Sequence, residues 1–109
     1  VAYAQDTERP ETVITELGEG WVADEALAIG VYCALKRREF RHALRLAVNH
    51  SGDSDSTGSI CGNLIGAYSG MDAIPEEWAE RIELRQVIEK TADRLTHLIK
   101  QNHRESCVD

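Results

Sequence analysis

Asn49-His50-Ser51-Gly52-Asp53-Ser54-Asp55-Ser56-Thr57-Gly58 decides the fold: a glycine-bracketed run of carboxylates and hydroxyls set between two stretches of helical periodicity. Nothing else in the 109 residues gathers as many hard oxygen donors. Beyond it, Ile60, Cys61, Leu64, Ile65 and Tyr68 recur at helical spacing, which predicts a helix from Thr57 to Tyr68. On the other side of that helix Gly58, Gly62 and Gly66 recur every four residues. Glycine inside a helix costs about 0.8 to 1.0 kcal/mol relative to alanine, so three in register predict a groove against which another backbone is pressed.

Before the stretch, Phe40, Ala43, Leu44, Ala47 and Val48 form an amphipathic stripe that predicts a helix over Glu39 to Asn49. Its other face carries Arg41 and Arg45, with Arg37 preceding them, and reads as a solvated face. Ala23 to Lys36 is apolar nearly all round, as a central helix should be. Asp24 and Glu25 at its start and Lys36 to Arg38 at its end complement the helix dipole. Upstream, Pro10 splits an opening segment, and Val13, Ile14 and Leu17 predict a short helix ended by Gly18. Gly18-Glu19-Gly20-Trp21 is a tight turn, with Trp21 either a core anchor closing the loop or a wall of a ligand pocket. Downstream, Pro75 precedes another helix in which Trp78 is expected to pack. A last amphipathic helix runs to Ile99 with Leu84, Val87, Ile88, Leu95, Leu98 and Ile99 on its buried side. From Gln101 onward the tail is polar and expected to fray. No convincing strand occurs, so the fold class is all-α, a helical bundle.

A chain of 109 residues and 12.1 kDa fits a single domain. Its 19 acidic and 12 basic residues give a net charge of -7, so a nucleic-acid backbone is not the expected partner. No run is long enough for a membrane span, and the first residues lack the layout of a signal peptide. A soluble, cytoplasmic protein is expected. Cys33, Cys61 and Cys107 are odd in number and far apart, which suggests neither a disulfide framework nor a zinc site. Cys33 and Cys61, among apolar helical residues, read as small buried thiols.

The central loop imitates two other motifs. Asp53-x-Asp55-x-Thr57-Gly58 copies the first half of an EF-hand, but the glutamate required at the twelfth position is Leu64. It also copies a DxDx[TV] phosphotransferase nucleophile, which belongs at the end of a buried strand. A plain Asp/Ser-rich cap for a helix beginning at Thr57 would not need two carboxylates. Carboxylates at i and i+2 followed by a hydroxyl suit one or two Mg²⁺ or Mn²⁺ ions, which take oxygen ligands.

Gly52 to Gly58, continued by the glycine-rich helix to Tyr68, resembles the C-terminal metal motif of the ADP-ribosylglycohydrolase family, which includes the dinitrogenase reductase-activating glycohydrolases. The resemblance extends upstream through Leu17-Gly18-Glu19-Gly20-Trp21-Val22-Ala23 to Leu35, and downstream through Tyr68-Ser69-Gly70-Met71-Asp72 to Trp78. It implies an all-α fold and a binuclear Mg²⁺ or Mn²⁺ centre that binds ADP-ribose. It also implies hydrolysis of the glycosidic bond between ADP-ribose and an acceptor, either a modified protein or an ADP-ribosyl small molecule. By position Asp53, Asp55 and Ser56 match the family's C-terminal metal ligands, with Asp55 the expected bridge between two ions. Gly20 and Trp21 match a segment beside the substrate cleft. Ser51 departs from a glycine that many members carry there.

Family members are two to three times longer, and their N-terminal half supplies a Thr-Asp-Asp metal cluster that residues 1–50 lack. The chain is therefore expected to be the C-terminal part of one such domain, whether fragment, proteolytic product or half of a split protein. The missing half is its expected partner. Alone, it is expected to bind metal weakly, to show no turnover and to self-associate through exposed apolar helices. The alternative is a non-catalytic structural or interaction module that keeps the scaffold, as some lens crystallins related to the family do.

Overall fold

Pro10 opens the first helix, where its missing N–H costs nothing: α1 spans Pro10–Leu17 and buries Val13 and Ile14. Gly18 ends it at φ 121°, a backbone conformation that L side chains rarely adopt. The computed structural model describes residues 9–36 and 39–106, so the opening residues, Arg37 and Cys107 lie outside it.

The helix that reads as central from Ala23 is α2, Ala23–Lys36, burying Ala26, Ile29, Gly30, Tyr32 and Cys33. It is followed by α3, Phe40–Val48, and by α4, Ser54–Ser69. These three pack on one another, with α1 against α2. The core they enclose is made of Val13, Ile14, Ala26, Ile29, Tyr32, Cys33, Phe40, Ala43, Ala47, Cys61 and Ile65, with the hydroxyl of Thr57 buried among them. Leu44 and Val48, expected on the same stripe as Phe40, are half-buried and exposed respectively.

The close approach between helices falls elsewhere than the glycine row implies. A Cβ on Gly30 would stand 2.5 Å from Cγ2 and 2.8 Å from Cβ of Ile60, so α2 and α4 touch through Gly30. A Cβ on Gly58 would instead stand 2.7 Å from Val48 Cγ1 and one on Gly62 3.4 Å from Leu44 Cδ2, while one on Gly66 would meet nothing within 4 Å. The expectation of a backbone pressed along all three glycines is therefore corrected: side chains of α3 cover two of them. Opposite signs follow for two substitutions. Gly30→Ala should lose about 1 to 3 kcal/mol, because β-branched Ile60 cannot turn away. Gly66→Ala should gain up to about 1 kcal/mol from helix propensity alone. Urea unfolding of the two variants reads both.

Cys33 and Cys61 are fully buried free thiols, as their apolar neighbours suggest. Burial, reinforced by the nearby Cys61, pushes the Cys33 thiol up to about 12. Burial alone pushes Cys61 up to about 11. Both thiols thus favour the fold fully below the unfolded thiol's ordinary value of 9.0, and that contribution is lost as pH rises towards about 11 and 12. At pH 8 a disulfide reagent should label Cys33 and Cys61 orders of magnitude more slowly in the native chain than in urea.

The described residues up to Pro75 form one compact unit and those from Glu76 to Ser106 a second. Between α4 and Pro75 lies a short 3-10 turn, Met71–Ala73. The second unit holds α5, Glu76–Arg81, and α6, Arg85–Ser106, joined through Leu84 at φ 58°. Trp78 in α5 is half-buried. The apolar face expected to be buried on the last helix is not: Leu84, Val87, Ile88, Leu95, Leu98 and Ile99 are each at least 50% exposed. Periodicity shows which residues share a face, not what covers it. Helical structure also continues to Ser106, past the point where fraying was expected. Among the described residues there is no strand, and no helix is long and apolar enough to cross a membrane.

Candidate functional site

Two loops carry the expected site residues, and the fold brings them together. The turn between α1 and α2 holds Gly20 and Trp21; the turn between α3 and α4 leads into Asp53, Asp55 and Ser56. Their contact is backbone to backbone: Asp53 N–H donates to the Glu19 carbonyl at 2.8 Å. Gly52 makes this possible, since a Cβ there would lie 1.7 Å from the same carbonyl oxygen. Gly20 is buried beneath, where a Cβ would sit 3.0 Å from Cγ2 of Thr57 and 3.6 Å from the Asp53 carbonyl. We call this pairing of residues 19 and 53 the latch.

Each loop is braced from its own side. Glu25, third residue of α2, turns its carboxylate back so that Oε2 accepts the N–H groups of Glu19 at 3.2 Å and Gly20 at 3.1 Å. This is a stretched form of the capping box, in which the third helical residue reaches back to the helix entrance. In the other loop, His50 Nδ1 accepts the Gly52 N–H at 3.1 Å. That bond leaves the ring proton on Nε2, which donates to Thr57 Oγ1 at 2.9 Å. The Thr57 hydroxyl in turn donates to the Ala47 carbonyl at 2.6 Å, tying the loop to the end of α3.

With the backbone held, the Asp53 and Asp55 carboxyls lie together at the start of α4. Helix α4 starts at Ser54, earlier than the expected Thr57, and Asp53 occupies the cap position without a side-chain cap hydrogen bond. Asp55 and Ser56 fall in the first turn, and the Ser56 N–H donates to Asp55 Oδ1 at 3.0 Å. The neighbouring Asp55 carboxyl, and after it the Ser56 hydroxyl, hold the Asp53 carboxyl below its ordinary value. Its charge therefore persists to lower pH than that of an isolated aspartate and is lost only as pH falls through the depressed value. Both residues lie at the start of α4, the positive end of its dipole.

Two carboxylates and one hydroxyl, partly or fully open to solvent, are a hard-oxygen set suited to a divalent cation. Among the described residues no group of three or more His, Cys, Asp or Glu side chains gathers around a common point. Trp21 is 66% exposed, so it does not anchor the core as one reading of the turn had it. Ser51, where the resemblance led to the expectation of a glycine in many members, is exposed. A cavity of about 240 Å³ lies on the α1 side of the latch, lined among others by Glu11, Thr15, Glu19, His50 and Gly52.

Sequence reasoning took Glu25 for a dipole complement and gave His50 no role. The signal for Glu25 was its place as third residue of the helix. His50 had none, because its bonds depend on the folded turn.

The sequence profile described as ADP-ribosylglycohydrolase matches residues 1–105. ADP-ribosylhydrolase ARH3 of Bos taurus is 31% identical, the match covering 72% of this chain and 25% of that protein. ADP-ribosylarginine hydrolase Tri1 of Pseudomonas putida (strain GB-1) is 31% identical over 80% of this chain and 26% of its own length. ADP-ribosyl-(dinitrogen reductase) glycohydrolase of Rhodospirillum rubrum is 39% identical over 42% of this chain and 16% of its own. The chain thus spans about a quarter of the length of the first curated relatives it matches. No solved structure matches it. With the profile running over nearly its whole length, the chain belongs to the ADP-ribosylglycohydrolase family.

Proposed function

We propose that the chain supplies the C-terminal metal-binding side of an active site that hydrolyses the glycosidic bond between ADP-ribose and an acceptor. The observation that carries this reading is the latched loop: the Asp53 and Asp55 carboxyls gathered beside the Ser56 hydroxyl at the start of α4, on a backbone held from both sides. Its support from relatives is that ARH3 and Tri1 bear the names of ADP-ribosylhydrolases. Asp53, Asp55 and Ser56 would hold Mg²⁺ or Mn²⁺, with Asp55 between two ions in a complete binuclear site. When bound, the metal would orient ribose hydroxyls and stabilise charge developing at the reacting bond. The chain's own contribution is positional: Asp53 and Asp55 present anionic oxygens at a fixed place, and Gly20 keeps the neighbouring loop low against them. Exposed Trp21 offers an aromatic face beside the site for the ADP-ribosyl group. The substrate is an ADP-ribosylated protein or ADP-ribosyl small molecule. The reduced, buried Cys33 and Cys61 suit a reducing compartment such as the cytoplasm.

Mn²⁺ titration tests the site. Asp55→Ala should weaken Mn²⁺ binding at least about tenfold, the low end of what supporting residues of metal sites alone are worth. In the complete protein it should also suppress ADP-ribose release from a modified protein. Unchanged affinity together with unchanged release would show the assignment to be wrong. The 109 residues alone should bind Mn²⁺ weakly and show no turnover, since they contribute two carboxylates and a hydroxyl at this point. Vigorous ADP-ribose release by this chain alone would contradict that.

A further inference from the structure

We infer that Glu25 is a positioning residue for the metal loop, acting on Asp53 through the Glu19 peptide; this rests on reading Asp53 and Asp55 as metal ligands. The connection has few links. The Glu25 carboxylate accepts the Glu19 N–H at 3.2 Å and the Gly20 N–H at 3.1 Å, which fixes two successive amides of the α1–α2 turn with one group. The Gly20 N–H and the Glu19 carbonyl belong to one planar trans peptide and point to opposite sides, so holding that N–H turns the carbonyl outward to take the Asp53 N–H at 2.8 Å. Asp53 is thereby set as the residue preceding α4, from which its carboxylate and that of Asp55 project.

The surrounding packing removes slack from this linkage. The carboxylate lies over Gly18, where an added Cβ would come within 2.5 Å of Glu25 Cδ. Gly18 and Gly20 both take positive φ, 121° and 78°, so the turn is shaped to wrap the carboxylate. On the far side Gly52 admits only a hydrogen against the Glu19 carbonyl. A shift of the turn when Glu25 is lost would therefore pass directly to Asp53. Asp24, its neighbour in the first turn of α2, is exposed and carries the same charge, so it separates positioning from long-range electrostatics.

Mn²⁺ alone, titrated into the whole chain and followed by electron paramagnetic resonance of the free ion, reads the inference. Glu25→Ala should weaken binding about tenfold or more, the range typical of residues that orient metal ligands. Glu25→Gln, whose amide oxygen still accepts, should restore most of the affinity. Asp24→Ala should stay within the error of the titration. Equal weakening by Asp24→Ala, equal weakening by Glu25→Gln, or no effect of Glu25→Ala would each overturn the proposal. Asp55→Ala in the same series separates the two readings. If it leaves Mn²⁺ binding intact, the metal assignment falls; if it abolishes binding while Glu25→Ala does not, only the role of Glu25 falls. A second measurement needs no ion and covers the case where Glu25→Ala does not fold. In Glu25→Asp, one methylene shorter, hydrogen exchange at the Glu19, Gly20 and Asp53 amides should accelerate together. An unchanged Asp53 amide would overturn the linkage.

Discussion

Replacing Gly52 with alanine is expected to cost the chain about 3 kcal/mol or more, the upper end of the range for forcing atoms into filled space. The added Cβ would stand 1.7 Å from the Glu19 carbonyl oxygen and 2.5 Å from its carbon. Both obstacles are backbone, so no side-chain rotation relieves the overlap. Gly52 is not among the glycines of positive φ, so the penalty is steric and not conformational. The two loops must part, which breaks the 2.8 Å bond from Asp53 to Glu19. Urea unfolding gives the stability, and faster hydrogen exchange at the Asp53 amide gives the local cause. A loss below about 0.5 kcal/mol, the size of an ordinary surface change, would mean that the loops separate freely.

Thr57→Val should be the next most damaging change, at about 2 to 3 kcal/mol, because an isosteric methyl replaces a fully buried hydroxyl. That hydroxyl donates to the Ala47 carbonyl at 2.6 Å and accepts from His50 Nε2 at 2.9 Å, with the carbonyls of Asp53 and Ser54 each 3.2 Å away. Valine leaves the Ala47 carbonyl and the His50 ring N–H without their partner, and unpaired buried groups cost about 1 to 3 kcal/mol each. Thr57→Ser keeps the hydroxyl and gives up only the methyl that faces Gly20, so it should cost less than Thr57→Val. Comparing unfolding midpoints of the pair isolates the hydroxyl. If serine is the more damaging, methyl packing and not hydrogen bonding holds the turn.

These sites show how far the sequence could be read. Helices α2 and α4 were legible because apolar spacing at i, i+3 and i+4 survives any detail of packing, and α3 was placed to within a residue at each end. The family was legible because the resemblance rests on short stretches, Gly52 to Gly58 and the two-glycine turn at Gly18 to Gly20, whose spacing is read directly from the chain. Glu25 and His50 were not, since each bonds backbone that only the folded turn brings near. The glycine row misled for a related reason: spacing said that Gly58, Gly62 and Gly66 share a face, while only the packed structure shows Val48 and Leu44 over two of them and space beside the third. The exposed face of α6 is the same lesson at larger scale.

The latch also sets the smallest piece that could carry the site. A synthetic peptide covering the acidic turn and α4 would keep Asp53, Asp55 and Ser56 but lose the Glu19 carbonyl, which belongs to a loop in front of α2. Short peptides hold helices poorly in water even with good caps, so its two carboxylates would be spread over many arrangements. The acidic motif is thus an incomplete part when cut out: transplanted into another scaffold, it would need the α1–α2 turn as well.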